Sequence, residues 1–277
     1  MIPLKDENPT NNKSYIRLII LIICSLIFLF QSFGGINNFL ISYFGFKPIS
    51  LIDSSGIETF SPFLTIFTSM FMHGGWLHFL GNMLYLWIFA DNVEDVLGHK
   101  KFLIFYIFSG VFASLSQFIF DINSPIPMIG ASGAIAGVLG AYFYLFPKAK
   151  VLVLIPFIIF FTIRVPANIL LLFWFFYQFI NINDEQSSVA WIAHIGGFIF
   201  GLMYVVTTGA KKFESKTGKS VFLKNRKGPW DYSLSNFNIS FLFSFKSGAG
   251  SATFLSLEKL NFNGFPGNFN FFMNLSL

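Results

Sequence analysis

Gly130-Ala131-Ser132-Gly133-Ala134-Ile135-Ala136-Gly137-Val138-Leu139-Gly140-Ala141-Tyr142-Phe143-Tyr144-Leu145-Phe146 reads as an apolar helix with one hydroxyl at its head and Lys148 and Lys150 just past its end. From Ser132 to Phe146 it spans about 15 residues, roughly 22 Å at 1.5 Å per residue, against a bilayer hydrocarbon core of about 30 Å. A helix that short does not cross the core unaided. With the lysines holding the inner end, the Ser132 end is recessed below the opposite surface, and water must reach it through a cavity.

The composition makes a bilayer the right medium. The chain is 54% hydrophobic and 11% charged, with a mean hydropathy of +0.65; soluble domains carry roughly a quarter charged residues. Apolar runs at about 18–33, 76–90, 102–120, 132–146, 166–180 and 189–206 predict six spans and an all-α membrane protein. The first run follows Lys13 and Arg17 like a signal peptide, but Gly34-Gly35-Ile36 is no cleavage site, so it reads as a retained anchor. Residues 34–75, with scattered apolar positions, Pro48 and Pro62, are expected to form an outer loop lying in the interface. Residues 151–161, broken by Pro156 and followed by Arg164, are expected to be re-entrant or interfacial.

Charge supplies the orientation. Six spans put Lys5, Lys13, Arg17, Lys100, Lys101, Lys148, Lys150, Arg164 and Lys211-Lys212 on one side and only Lys47 on the other. The positive-inside rule then places both termini in the cytoplasm, and a bacterial plasma (inner) membrane is the expected location. The net charge of +5 is accounted for by these loops and calls for no nucleic-acid partner. Cys24 is the single cysteine, which excludes an intrachain disulfide and argues against a cysteine metal site. The organisation expected is a cytoplasmic N-terminal tail (1–14), a transmembrane domain (15–210) and a cytoplasmic low-complexity or disordered tail (211–277).

Polar side chains are costly in a bilayer core and face the bundle interior or a water-filled cavity. His78 and Asn82 share one helical face by their i, i+4 spacing in the second span. Ser132 opens the fourth span and His194 lies early in the sixth, in Ala193-His194-Ile195-Gly196-Gly197. These spans run in the same direction, so all four groups reach similar depths near the outer leaflet. Gly133-xxx-Gly137 and Gly197-xxx-Gly201 allow close backbone approach, which would bring Ser132 and His194 together. A serine hydroxyl needs a neighbouring base, and the oxyanion it creates needs fixed donors: Asn82, His78 and the Ser132 backbone N–H. Taken singly, Ser132 reads as packing glue and the histidines as interhelical hydrogen-bond partners.

As a set, Gly-x-Ser-Gly on the fourth span, His-x-x-x-Asn on the second and Ala-His-x-Gly-Gly on the sixth resemble the rhomboid intramembrane serine proteases, over about residues 15–210. The resemblance implies a six-helix bundle and a Ser132–His194 dyad without a third carboxylate. It implies an oxyanion hole of His78 and Asn82, and structural support from His73, Glu94, Gly133 and Gly197. It also implies substrates that are membrane proteins with a locally unstable transmembrane helix and a small residue at the cut, and it calls for no metal or organic cofactor. Many members carry an aromatic residue against the catalytic histidine one turn after the nucleophile; here that position is Ala136. A Trp-Arg pair of the outer loop is likewise missing from residues 60–71. The alternative is a catalytically silent rhomboid-like protein that binds membrane clients. A proton-coupled transporter would want ionisable residues through the whole depth, and the inner halves of these spans are nearly all apolar.

Overall fold

A computed structural model describes residues 1–33, 35–53, 55–155, 161–182 and 189–210; the tail expected from 211 onward lies outside the described residues. Helix α1 (Tyr15–Phe33) buries Ile20, Cys24, Phe28 and Gln31 as one stripe, while Ile19, Ile22, Leu26 and Phe30 are exposed. A helix apolar on every face with a single buried stripe suits a lipid exterior. The outer segment after it consists of α2 (Asn37–Phe44), a 3-10 turn at Pro48–Leu51, α3 (Pro62–Thr68) and a second 3-10 turn at Ser69–Phe71.

Helices α4 (Trp76–Leu97) and α5 (His99–Phe120) meet at Gly98, whose φ of +76° is the left-handed conformation that favours glycine. Helix α4 continues seven residues past the apolar run that ends at Ala90, because Asn92 and Glu94 bury there against partners of their own. Helix α6 (Ser132–Leu145) is the axis of the fold, with every residue from Ala134 to Tyr142 buried. It is packed by α8 (Trp191–Thr207) and α5, with α4 and α7 (Ala167–Ile180) completing its surroundings. Helices α1 and α5 are long and apolar enough to cross a membrane by length and composition; α6, α7 and α8 are shorter apolar helices.

A three-stranded antiparallel sheet closes the Lys/Arg-rich end. Strand β1 (Ile2–Asp6) pairs with β2 (Lys150–Ile155), which pairs with β3 (Phe161–Pro166). Within the N-terminal segment 1–14, Ile2–Asp6 is thus strand, and the described parts of 151–161 are strand as well. The register runs from Ile2 opposite Leu154 to Asp6 opposite Val151. Beyond it Glu7 forms an ion pair with Arg164, and the Asn8 amide donates to Asn92 Oδ1 at 2.8 Å. The Asn11 and Asn12 backbone N–H groups donate to Asp95 at 2.7 and 3.0 Å. Polar groups of the N-terminal segment thus satisfy polar groups at the end of α4.

This staple reaches the central helix. The Tyr142 hydroxyl donates to Asp6 Oδ2 at 2.8 Å, and burial, then the charge of Asp91, push the Asp6 carboxyl up to about 7, with the Tyr142 hydrogen bond acting the other way. A carboxyl raised above its unfolded value of 3.8 stays protonated when folded while the unfolded chain ionises, so its stabilising contribution falls as pH rises from about 4 to about 7. The β1 amides should therefore be better protected at pH 5 than at pH 8, after correction for intrinsic exchange rates. Asp6→Asn should remove the difference; hydrogen–deuterium exchange showing equal protection in the unsubstituted protein would contradict this.

Candidate functional site

The site is built on the seam between α6 and α8. A Cβ placed on Gly197 would run into the Gly133 carbonyl oxygen, and one on Gly201 into the Gly137 carbonyl. Both contacts have the same sequence offset, so the two helices run parallel in fixed register. The small side chains on the other flank of α6 serve α5: Gly133 faces Ala113 and Gly137 faces Ser109. Ser132 is one residue before Gly133, as the first residue of α6, and His194 lies one turn before Gly197. The seam therefore brings Ser132 and His194 to the same end of neighbouring helices. Both are partly exposed.

The second pair of polar groups meets the same end through the segment before α6. That segment is tied to the outer segment by paired hydrogen bonds between Phe46 and Met128 at 3.0 and 2.7 Å and by Gly130 N–H to the Ser69 carbonyl at 2.9 Å. Gly130 has φ +121°. A Cβ there would lie 2.6 Å from His78 Nε2 and 3.6 Å from Asn82 Nδ2, so only glycine lets this backbone rest on the two side chains. Gly74 N–H donates weakly to His78 Nδ1 at 3.5 Å; a neutral ring accepting there carries its proton on Nε2, the atom beside Gly130. Asn82 is buried, and its Nδ2 has no acceptor among the described residues.

Around His194 the structure supplies partners the sequence did not disclose. Gln178, buried on the last turn of α7, has its Oε1 2.9 Å from His194 Nδ1. The Trp174 ring packs on the imidazole at 5.8 Å between centroids, tilted 33°, and Trp191 meets it edge-on at 6.2 Å. The aromatic support missing at Ala136 thus comes from α7 and from α8 itself. Trp191 stands three residues before His194, on the same face of α8, whereas Trp174 and Gln178 lie in another apolar run, with no spacing that relates them to His194.

His73 is fully buried at the foot of α4. Its backbone N–H donates to Gln31 Oε1 at 3.2 Å and its carbonyl accepts from Gln31 Nε2 at 3.3 Å, while its ring stands 5.3 Å from that of His78. It braces α1 against the start of α4. Glu94 is three turns beyond Asn82 on α4, about 18 Å along the axis. It accepts the Ile16 and Arg17 backbone N–H groups at 2.9 and 2.8 Å, capping α1, and binds His99 Nδ1 at 2.6 Å. The fold joins Ser132, His194, His78, Asn82, Gly133 and Gly197 in one region, with His73 behind it and Glu94 at the far end.

A family model, the Rhomboid domain, matches residues 61–211. The chain belongs to the rhomboid family. This rhomboid is 30% identical over 209 residues to the Rhomboid protease GluP of Bacillus subtilis, covering 75% of this chain and 36% of that protein. It is 32% identical over 151 residues to Rhomboid protein 1, mitochondrial, of Saccharomyces cerevisiae, covering 51% of this chain and 40% of the relative. It is 29% identical over 181 residues to Presenilin-associated rhomboid-like protein A, mitochondrial, of Danio rerio, covering 62% and 42%. The chain thus spans about two fifths of the length of these curated relatives. Family membership makes this a helical, multi-pass membrane protein. The relatives are bacterial and mostly mitochondrial, so a bacterial plasma membrane finds no particular support among them. Rhomboids are in general serine intramembrane proteases, but the family includes inactive members, so the activity of this chain rests on its own residues.

Proposed function

We propose that this rhomboid is an intramembrane serine endopeptidase. Helices α1, α4, α5, α6, α7 and α8 are its six spans, within a protease domain of residues 15–210. The Lys/Arg-rich end, with residues 1–14, faces the cytoplasm. Ser132 Oγ attacks the scissile carbonyl of a transmembrane substrate while His194 takes its proton. The oxyanion receives hydrogen bonds from Asn82 Nδ2, His78 Nε2 and the Ser132 backbone N–H, which heads α6. Collapse breaks the C–N bond, and the imidazolium protonates the leaving amine. Water, deprotonated by His194, then hydrolyses the acyl-enzyme and frees Ser132. As in the family, the substrates are membrane proteins with a locally unstable helix and a small residue at the cut.

The observation that carries this reading is the Asn82 Nδ2, without an acceptor among the described residues and buried beside Gly130, two residues before Ser132. A buried donor without an acceptor costs about 1–3 kcal/mol, a cost recovered if the group is kept for charge that develops only in the transition state. Asn82→Ala should therefore lower kcat by about 10²–10³-fold with little change in KM. The assay is cleavage of a model transmembrane substrate by the full chain in liposomes, alongside fluorophosphonate labelling of Ser132. An Asn82→Ala protein with wild-type kcat would sink this assignment. Binding of the substrate with neither cleavage nor labelling would instead favour the silent, client-binding reading.

A further inference from the structure

Resting on the proteolytic reading above, we infer that Gln178 is a positioning residue, holding the His194 imidazole with its proton on Nδ1 and its Nε2 lone pair free for Ser132. The Gln178 side chain is 1% exposed, and both ends of its amide are engaged. Nε2 donates to the Trp174 carbonyl one turn back at 2.6 Å, which settles which way the amide faces. Oε1, an acceptor only, then lies 2.9 Å from His194 Nδ1. That nitrogen must be the donor. A neutral imidazole has one N–H, so Nε2 is left as the acceptor, the form a base needs to receive a hydroxyl proton.

The ring is held in this attitude from two further directions, by Trp174 across one face and Trp191 at the edge. Trp174 thus serves twice, packing on the imidazole with its ring and orienting Gln178 with its carbonyl. Soluble serine hydrolases use a buried carboxylate to orient the histidine. An ionised carboxylate inside a bilayer is expensive; a neutral amide sets the same tautomer without that charge. Gln178 therefore supplies the orienting half of a third catalytic member and omits its electrostatic half.

The test uses the full chain in liposomes with Gln178→Leu and Gln178→Glu. Leu removes the acceptor; Glu is nearly isosteric and keeps one. Gln178→Leu should lower kcat by about 10²-fold, with KM within about twofold. The ¹⁵N signals of His194, one of only four histidines, should then show the Nε2–H tautomer gaining population. Gln178→Glu should restore much of kcat and move the acidic limb of kcat/KM upward by about one pH unit or more, because a neighbouring carboxylate favours the imidazolium and the base is lost at higher pH. A Leu variant with wild-type kcat and an unchanged His194 ¹⁵N signature would overturn the inference. If the unsubstituted chain neither cleaves nor labels, the protease reading fails, while the ¹⁵N comparison still decides whether Gln178 sets the tautomer.

Discussion

Ser132→Ala should reduce cleavage of a transmembrane substrate to background, a loss of about 10⁴-fold or more, and should abolish fluorophosphonate labelling. The substitution removes one hydroxyl at the head of α6 and leaves the Gly133 and Gly137 contacts that seat the helix untouched. Thermal unfolding in detergent should therefore match the unsubstituted protein, and substrate binding should persist. His194→Gln should behave alike, because nucleophile and base act as a unit whose single losses are grossly non-additive. Cleavage surviving Ser132→Ala at a comparable rate would end the mechanism outright, whatever the other residues do.

Gly201→Ala should be the most destabilising single methyl in the bundle. An added Cβ there would lie 2.5 Å from the Gly137 carbonyl carbon and 2.7 Å from its Cα, and nearer still to its oxygen. Backbone cannot rotate away as a side chain can, and Gly137 is itself backed by Ser109 of α5. Relief therefore requires α8 to move off α6, at a cost of about 3 kcal/mol. Because that seam carries Ser132 and His194, activity should fall with stability. Gly81→Ala is the matched control: nothing lies within 4 Å of its Cβ, and alanine is favoured over glycine in a helix by about 1 kcal/mol. Equal unfolding temperatures for the two variants would show that the close approach is not what holds α6 to α8.

The helices were legible because their signal is local. Apolar runs of the right length stand out in one dimension, and α1, α5, α6, α7 and α8 begin and end within a few residues of the runs that announced them. In sequence α4 looks shorter than it is, because Asp91, Asn92, Glu94 and Asp95 resemble the end of a span. The helix continues because partners from residues 8–17 satisfy them. The sheet was not legible at all: β1 finds its partner some 150 residues later, and five residues of alternation carry little weight without it. The contact of His99 with Glu94, at the turn between α4 and α5, likewise appears only in three dimensions.

Ser132, His194, His78 and Asn82 could be singled out from the sequence because a polar group in an apolar span has to be explained by a partner or a function. From the sequence alone came a membrane protein, its apolar spans and the residues able to do chemistry, since hydropathy and burial cost are properties of short stretches. Tertiary structure alone decided what surrounds those residues. It set the register of α6 on α8, laid Gly130 against His78 and Asn82, and brought Trp174 and Gln178 from α7 to the His194 ring. Each of these is a contact between segments far apart in the chain, where geometry and not composition selects the partner.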